Sequence, residues 1–175
     1  MKPAIFLDRD GVITVEKGYV CPIEEIELYD GVRECINKIH AKGYYAIVIS
    51  NQSAVARDII QEDELIAFHE KLIDETGLDA IYYCPHHVDG IIPKYTKKCN
   101  CRKPEIGMIE RALEDFDIDL RRSYMVGDRA SDIQTGINAG TKTVLVKTGY
   151  GKNTPKFDVV PDYICDNLES FVEIL

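Results

Sequence analysis

Short apolar runs alternate with segments of helical period along this chain. Ala4-Ile5-Phe6-Leu7 is apolar and stops at Asp8, which predicts a buried strand. Residues 31–42 set Val32, Cys35, Ile36 and Ile39 on one helical face, and Gly43 ends the pattern. Tyr44 to Ile49 reads as a second buried strand, rich in β-branched residues. Residues 62–76 predict a helix whose apolar side is Leu65, Ile66, Phe68, Leu72 and Ile73. Ala80 to Tyr83 reads as a strand, 105–115 as a helix, Ser123 to Val126 as a strand and 131–139 as a helix. Thr143 to Val146 is the next strand, and 167–174 a final helix. This alternation implies an α/β fold, an open parallel sheet with helices on both faces. The whole chain, 1–175, reads as one domain without internal repeats. Its longest loop, 84–104, calls for a function or a staple of its own.

Ligands of open parallel sheets bind beyond the carboxyl ends of the strands. The residues that end the apolar runs here are Asp8-Arg9-Asp10-Gly11, Ser50-Asn51-Gln52-Ser53, Cys84-Pro85-His86 and Gly127-Asp128-Arg129. Carboxylates, a hydroxyl and amides at such ends suit a cation together with a phosphate. Net charge narrows this further. Lys+Arg 21 against Asp+Glu 30 gives −9, so there is no general attraction for nucleic acid or an anionic membrane. No apolar run approaches the roughly 20 residues of a membrane span. The opening MKPAIFLDRDG meets charge after four apolar residues, unlike a signal peptide, so a cytosolic protein is expected.

In the first motif, Asp8 and Asp10 stand two residues apart past a strand end, and Gly11 permits a sharp turn. A carboxylate can attack phosphorus to form an aspartyl-phosphate, while a second protonates the leaving oxygen and then deprotonates water. Their mutual repulsion calls for a hard cation such as Mg²⁺. In Gly127-Asp128-Arg129-Ala130-Ser131-Asp132, Asp128 can complete a ligand set, and Asp132 on the following first helical turn can cap or bind metal. Ser50 offers a hydroxyl, and Lys103, ahead of a helix, offers a point charge for phosphoryl oxygens. Six cysteines complete the inventory. Cys84-x-His86, twelve residues, then Cys99-x-Cys101 supplies three thiolates and one imidazole, a set suited to structural Zn²⁺. His87 can compete with His86, but the CxH/CxC symmetry favours His86. Cys21, Cys35 and Cys165 read as small apolar thiols.

In this order the four catalytic motifs resemble the haloacid dehalogenase (HAD) superfamily, over residues 4 to about 150. The resemblance implies Asp8 as nucleophile and Asp10 as general acid/base. It implies Ser50 and Lys103 as phosphoryl-binding residues, and Asp8, the Asp10 carbonyl and Asp128 as Mg²⁺ ligands. The zinc set, with Asp-Arg-Asp-Gly and Cys-Arg-Lys-Pro, is similar to the D-glycero-D-manno-heptose 1,7-bisphosphate 7-phosphatase family. Histidinol-phosphate phosphatases share the motifs but have a shorter zinc loop. For a heptose-bisphosphate substrate the resemblance implies contacts from Glu16, Lys17, Gly18, Tyr19, Asn51, Gln52, Ser53, Arg57, Arg102 and Arg129. Ser50 stands where Thr is common, Ala54-Val55 replace Gly-Ile, and Arg129 stands where Lys is usual. Thirty-nine residues separate Asp10 from Ser50; helix 31–42 and strand 44–49 use eighteen of them, and the loop that remains is too short for a cap domain, so none is expected. Selection then falls to the 12–30, 51–60 and zinc loops, with Arg57 and Arg102 candidates for a second phosphate. A non-catalytic receiver-type domain, the competing class, needs a lone phospho-acceptor Asp after the third strand, where this chain has Cys84. The expected partner is a small phosphorylated sugar, and the expected state a monomer.

Overall fold

The computed structural model describes residues 1–18, 25–153 and 159–175. Its sheet has six parallel strands: β1 (Ala4–Leu7), β2 (Tyr45–Asn51), β3 (Ala80–Cys84), β4 (Tyr124–Gly127), β5 (Lys142–Val146) and β6 (Tyr163–Cys165), in the order β3-β2-β1-β4-β5-β6. The helices are α1 (Val32–Ala41), α2 (Glu62–Thr76), α3 (Gly107–Asp115), α4 (Ala130–Ala139) and α5 (Leu168–Ile174). Short 3₁₀ turns at Leu120–Arg122 and Gly149–Asn153 complete the described elements. Among the described residues, no helix is long and apolar enough to cross a membrane.

Side-chain alternation along each strand builds two cores, one on either face. Ile5 and Leu7 join Ala46, Val48, Val126 and Val144 under α1 and α5, where Ile36, Ile39 and Phe171 are buried. Ala4 and Phe6 point the other way, to Ile47, Ile49 and Met125, and pack against Met108, Ile109 and Ala112 of α3. Burial on both faces explains why the central strands read as continuous apolar runs rather than alternating ones. At α1 the inward stripe is Val32, Cys35, Ile36 and Ile39, as the spacing predicts.

Three differences from the sequence expectation have physical causes. Strand β6 has three residues at a sheet edge, with Tyr163 and Ile164 exposed, too short and too open to give a periodic signal. Strand β2 runs two residues past the apolar stretch, because Ser50 and Asn51 still pair with Tyr83 and Cys84. On α2, Ile66 is exposed and His69 is buried with Leu65 and Leu72. Ile66 therefore does not belong to the inward face, and a polar residue does. Among the described residues, β1 and α1 are linked through the isolated bridges Asp10–Thr14 and Thr14–Leu28, with no named strand or helix between them.

Strand order reverses between β1 and β4. Both strands start chains that run outward from here, so the loops after them diverge and leave a crevice at their carboxyl ends. Asp8 and Asp128 follow those two strands directly.

Candidate active site

The turn after β1 is closed by Ile13 and Thr14 main-chain amides donating to the Arg9 carbonyl, and by Gly11 donating to Thr14. Gly11 has φ +87°, and a Cβ there would lie 2.2 Å from Asp128 Oδ2. Gly149, at φ +52°, approaches the same oxygen beside Gly11, and a Cβ there would lie 2.1 Å away. Glycine at both places lets two chain segments close around one carboxylate. Tyr150 N donates to Asp128 Oδ2 at 2.7 Å, and Thr148 Oγ1 donates to the Gly11 carbonyl, which fixes the second segment. Sequence reasoning missed this Thr148–Tyr150 turn, whose signal was only a Gly-Tyr-Gly after a strand.

Asp8, Asp128 and Asp132 are buried, with carboxylate oxygens within 4.8 Å of one another. Lys103 Nζ lies 2.8 Å from Asp8 Oδ1 and 2.8 Å from Asp132 Oδ1, almost wholly out of solvent. Burial alone would lower the Lys103 pKa; Asp132 and Asp8 more than reverse this and keep it charged. Asp132 Oδ2 also accepts from Arg129 N, so it both caps α4 and anchors Lys103. One lysine does not offset three carboxylates. Burial pushes Asp8 up to about 8, against the pull of Lys103 and with the repulsion of Asp132, Asp128 and Asp10. Burial, then repulsion from Asp132, pushes Asp128 up to about 7. Asp128 Oδ1 has no hydrogen-bond partner among the described residues. An orphaned buried carboxylate oxygen beside two more carboxylates fits a hard divalent cation.

Asp10 is held differently. Arg9 Nε and Nη2 both donate to Asp10 Oδ1, at 3.1 and 2.9 Å, and Nη2 reaches Oδ2 at 2.9 Å. Thr14 Oγ1 and Gln52 Nε2 donate to the same carboxylate at 2.9 Å each. Burial works to raise Asp10, but Arg9 and these donors outweigh it and hold the group below the usual carboxylate range. Gln52 also donates to Ser50 Oγ at 2.7 Å. Asn51 bridges to the main chain of Lys103 in both directions, at 2.9 and 3.2 Å. These amides therefore tie the end of β2 to both the acidic turn and the lysine.

A cavity of about 860 Å³ opens over this site. Of the expected substrate residues, Glu16, Lys17, Gly18, Asn51, Gln52, Ser53, Arg102 and Arg129 line it. Tyr19, like Cys21, lies outside the described residues. Arg57 is not brought to the cavity: its guanidinium sits 3.3 Å from His87 Nδ1. The Arg129 guanidinium carbon sits over Tyr150, 3.8 Å from the ring centroid, with Glu16 at 3.4 Å from Nη2. Arg102 Nη1 donates to the His86 carbonyl at 3.3 Å, linking the cavity wall to the long loop.

That loop gathers Cys84, His86, Cys99 and Cys101, with ligand atoms within 4.8 Å of one another. Cys101 Sγ is 3.0 Å from Cys84 Sγ, 3.4 Å from Cys99 Sγ and 3.4 Å from His86 Nδ1. Tetrahedral zinc with Zn–S near 2.3 Å spaces its ligand atoms roughly 3.5–3.8 Å apart, so the cluster is the right size. His87 turns away, its Nδ1 accepting from Asp89 N. Cys35 and Cys165, both buried, serve as core thiols.

The raised pKa of Asp128 gives a stability test. In the unfolded chain this carboxyl titrates near 3.8 and in the fold near 7, so between those values the folded state binds the extra proton. Stability of metal-free protein should fall as pH rises through that window. Asp128→Asn removes the charge and keeps the acceptor for Tyr150 N. In chelator-treated protein it should be more stable than wild type at pH 8, by about 1 kcal/mol or more, with the gain vanishing near pH 4. Chemical denaturation at both pH values measures this; a variant less stable at pH 8 would contradict the electrostatic account.

Residues 100–171 match the HAD-hydrolase-like family. A D-glycero-β-D-manno-heptose-1,7-bisphosphate 7-phosphatase of Photorhabdus laumondii is 43% identical over 159 residues, 87% of this chain and 84% of the relative. The Escherichia coli K12 protein of the same name is 41% identical over 173 residues, covering 95% of this chain and 90% of the relative. Among solved structures, the D,D-heptose 1,7-bisphosphate phosphatase of B. bronchiseptica, complexed with magnesium and phosphate, is similar with a TM-score of 0.83. It is 30% identical and covers 98% of this chain and 97% of its own. With the acidic pocket at the strand-order reversal and identity sustained along the whole chain, this protein belongs to the D-glycero-β-D-manno-heptose-1,7-bisphosphate 7-phosphatase family of HAD-type phosphatases.

Proposed function

We propose that this phosphatase removes the C7 phosphate of D-glycero-β-D-manno-heptose 1,7-bisphosphate through an aspartyl-phosphate. The observation that carries the reading is the buried Asp8–Lys103–Asp132 ion-pair chain beside Asp128 at the mouth of the sheet. Asp8 attacks phosphorus and the phosphorus–oxygen bond to C7 breaks. Asp10 supplies the proton that the departing alkoxide takes. It then accepts a proton from the water that attacks the acyl-phosphate, which releases inorganic phosphate and restores Asp8. Arrival of an anionic phosphoryl group next to Asp10 offsets the pull of Arg9 and favours the protonated form. Ser50 and Lys103 bind the transferring group. Asp8, Asp128 and the Asp10 carbonyl are suited to hold Mg²⁺, which when bound neutralises the carboxylates and polarises the phosphoryl oxygens. Cys84, His86, Cys99 and Cys101 are suited to structural Zn²⁺. The relatives' names support the heptose substrate and the β-anomer.

The regiochemistry has a steric logic. A phosphate on an exocyclic carbon reaches into a narrow site, whereas a phosphate on the ring carbon would push the ring against the mouth. The anomeric phosphate then sits further out, within reach of Arg102 on the cavity wall. Phosphate release measured with the β-anomer, the α-anomer and histidinol phosphate tests the function, with ³¹P NMR of the product. The β-bisphosphate should show the highest kcat/KM and its product should retain the anomeric phosphate. Preference for histidinol phosphate, or loss of the anomeric phosphate, would overturn the reading.

Arg102 and Lys103 are neighbours with different assignments. Arg102→Ala should cut kcat/KM for the bisphosphate about tenfold or more while changing p-nitrophenyl phosphate turnover little. Lys103→Ala should damage both substrates alike, since it meets the phosphoryl group that they share. Equal losses on both substrates for Arg102→Ala would place it in the phosphoryl-binding cradle instead.

A further inference from the structure

Arg9 and His69 are each only 5% exposed, and the sequence reading gave neither a part in the chemistry. Arg9 spends two nitrogens on the Asp10 carboxylate, and its third, Nη1, lies 3.1 Å from His69 Nε2. A guanidinium only donates, so Nε2 must be the acceptor and the imidazole neutral, with its proton on Nδ1. Burial, reinforced by Arg9, pushes His69 down to about 3, in agreement with that tautomer. Nδ1 is buried and has no hydrogen-bond partner among the described residues. The ring stands on α2 with Leu65 and Leu72, 6.0 Å from Phe68 and 5.4 Å from Tyr83. A leucine would suit those neighbours without stranding a polar N–H. What an acceptor adds at this place is a fixed partner for Arg9.

We propose that His69 is a positioning residue: by holding Arg9 from behind, it fixes the carboxyl of Asp10 toward the leaving-group oxygen. This rests on the reading of Asp10 as the acid/base. The path is contiguous, from α2 through one guanidinium to the acidic turn. Thr14 and Gln52 also hold Asp10, so losing His69 loosens the alignment and leaves the carboxyl in place.

Leaving-group dependence separates this role from a purely structural one. The ratio kcat/KM reports the steps up to departure of the leaving group. A sugar alkoxide needs a proton at that moment, whereas p-nitrophenolate leaves without one. His69→Leu should lower kcat/KM for the heptose bisphosphate about tenfold, less than the full acid–base contribution. For p-nitrophenyl phosphate the change should stay within about threefold. His69→Gln, whose Oε1 can accept from Arg9, should recover most of the loss. His69→Met is the second apolar variant should leucine not fold, and circular dichroism establishes the folded fraction of each. Parallel losses on both substrates, or no loss on the bisphosphate, would overturn the proposal. Asp10→Asn in the same series should show the same selectivity, larger in size. If it does not, the acid reading fails and the positioning role falls with it. If it does while His69→Leu shows none, the positioning role alone is wrong.

Discussion

Burying Asp8, Asp128 and Asp132 within a few ångströms of one another, with Lys103 paired to Asp8 and Asp132 and Arg129 3.9 Å from Asp128, is the constraint on which the rest of this structure depends. Such a group is costly to assemble without counter-charge, because each carboxylate loses water and gains a like-charged neighbour. The protein bears that cost by packing. Two hydrophobic layers hold β1 and β4 side by side, so their carboxyl ends cannot drift apart. Gly11 and Gly149 allow the flanking segments to close on Asp128, and Asp132 is locked by its own helix cap. The pocket is thereby poised for a divalent cation and a phosphoryl group, which bring opposite charges to the same small volume.

Lys103 shows how the long loop serves this arrangement. It follows Cys101 and Arg102 directly, so the same stretch of chain carries a cysteine of the metal-sized cluster, a cavity-wall cation and the buried lysine. Asn51 pins the peptide of Lys103 to the end of β2, and Arg102 is tied back to His86. A loop of this length without regular structure needs such anchors at both ends. The cavity above is wide and open to solvent, bounded by loops and by one side of α2. Charged residues on those walls, Glu16, Lys17, Arg102 and Arg129, surround the space above the acidic pocket.

Much of this was legible in the residues. Continuous apolar runs that end in Asp, Ser or Gly-Asp gave the central strands and put Asp8, Ser50 and Asp128 at their tips, because doubly covered strands must be apolar throughout. The spacing of Cys84, His86, Cys99 and Cys101 gave the cluster, since metal ligands carry their own pattern. Other features had no such pattern. Strand β6 sits at an edge and is three residues long, so it has neither length nor burial to mark it. His69 sits inward on α2 while Ile66 is exposed, and its ring nitrogen lies 3.1 Å from Arg9, a pairing that apolar periodicity does not encode. Arg57 had the charge for a phosphate, but its position turns it toward His87. Charge type is written in sequence; direction is set by packing.

The proposed nucleophile toward phosphorus in this buried pocket is Asp8. The direct test is rapid acid quench of wild-type enzyme during turnover of substrate ³²P-labelled at C7, with one portion peptide-mapped for ³²P and a second portion reduced with borohydride, which releases the phosphate, before mapping. Label should be held as an acyl-phosphate on the peptide containing Asp8, and reduction should convert that aspartate to homoserine. Steady release of phosphate with no label trapped on the protein, or label on a different residue, would contradict it.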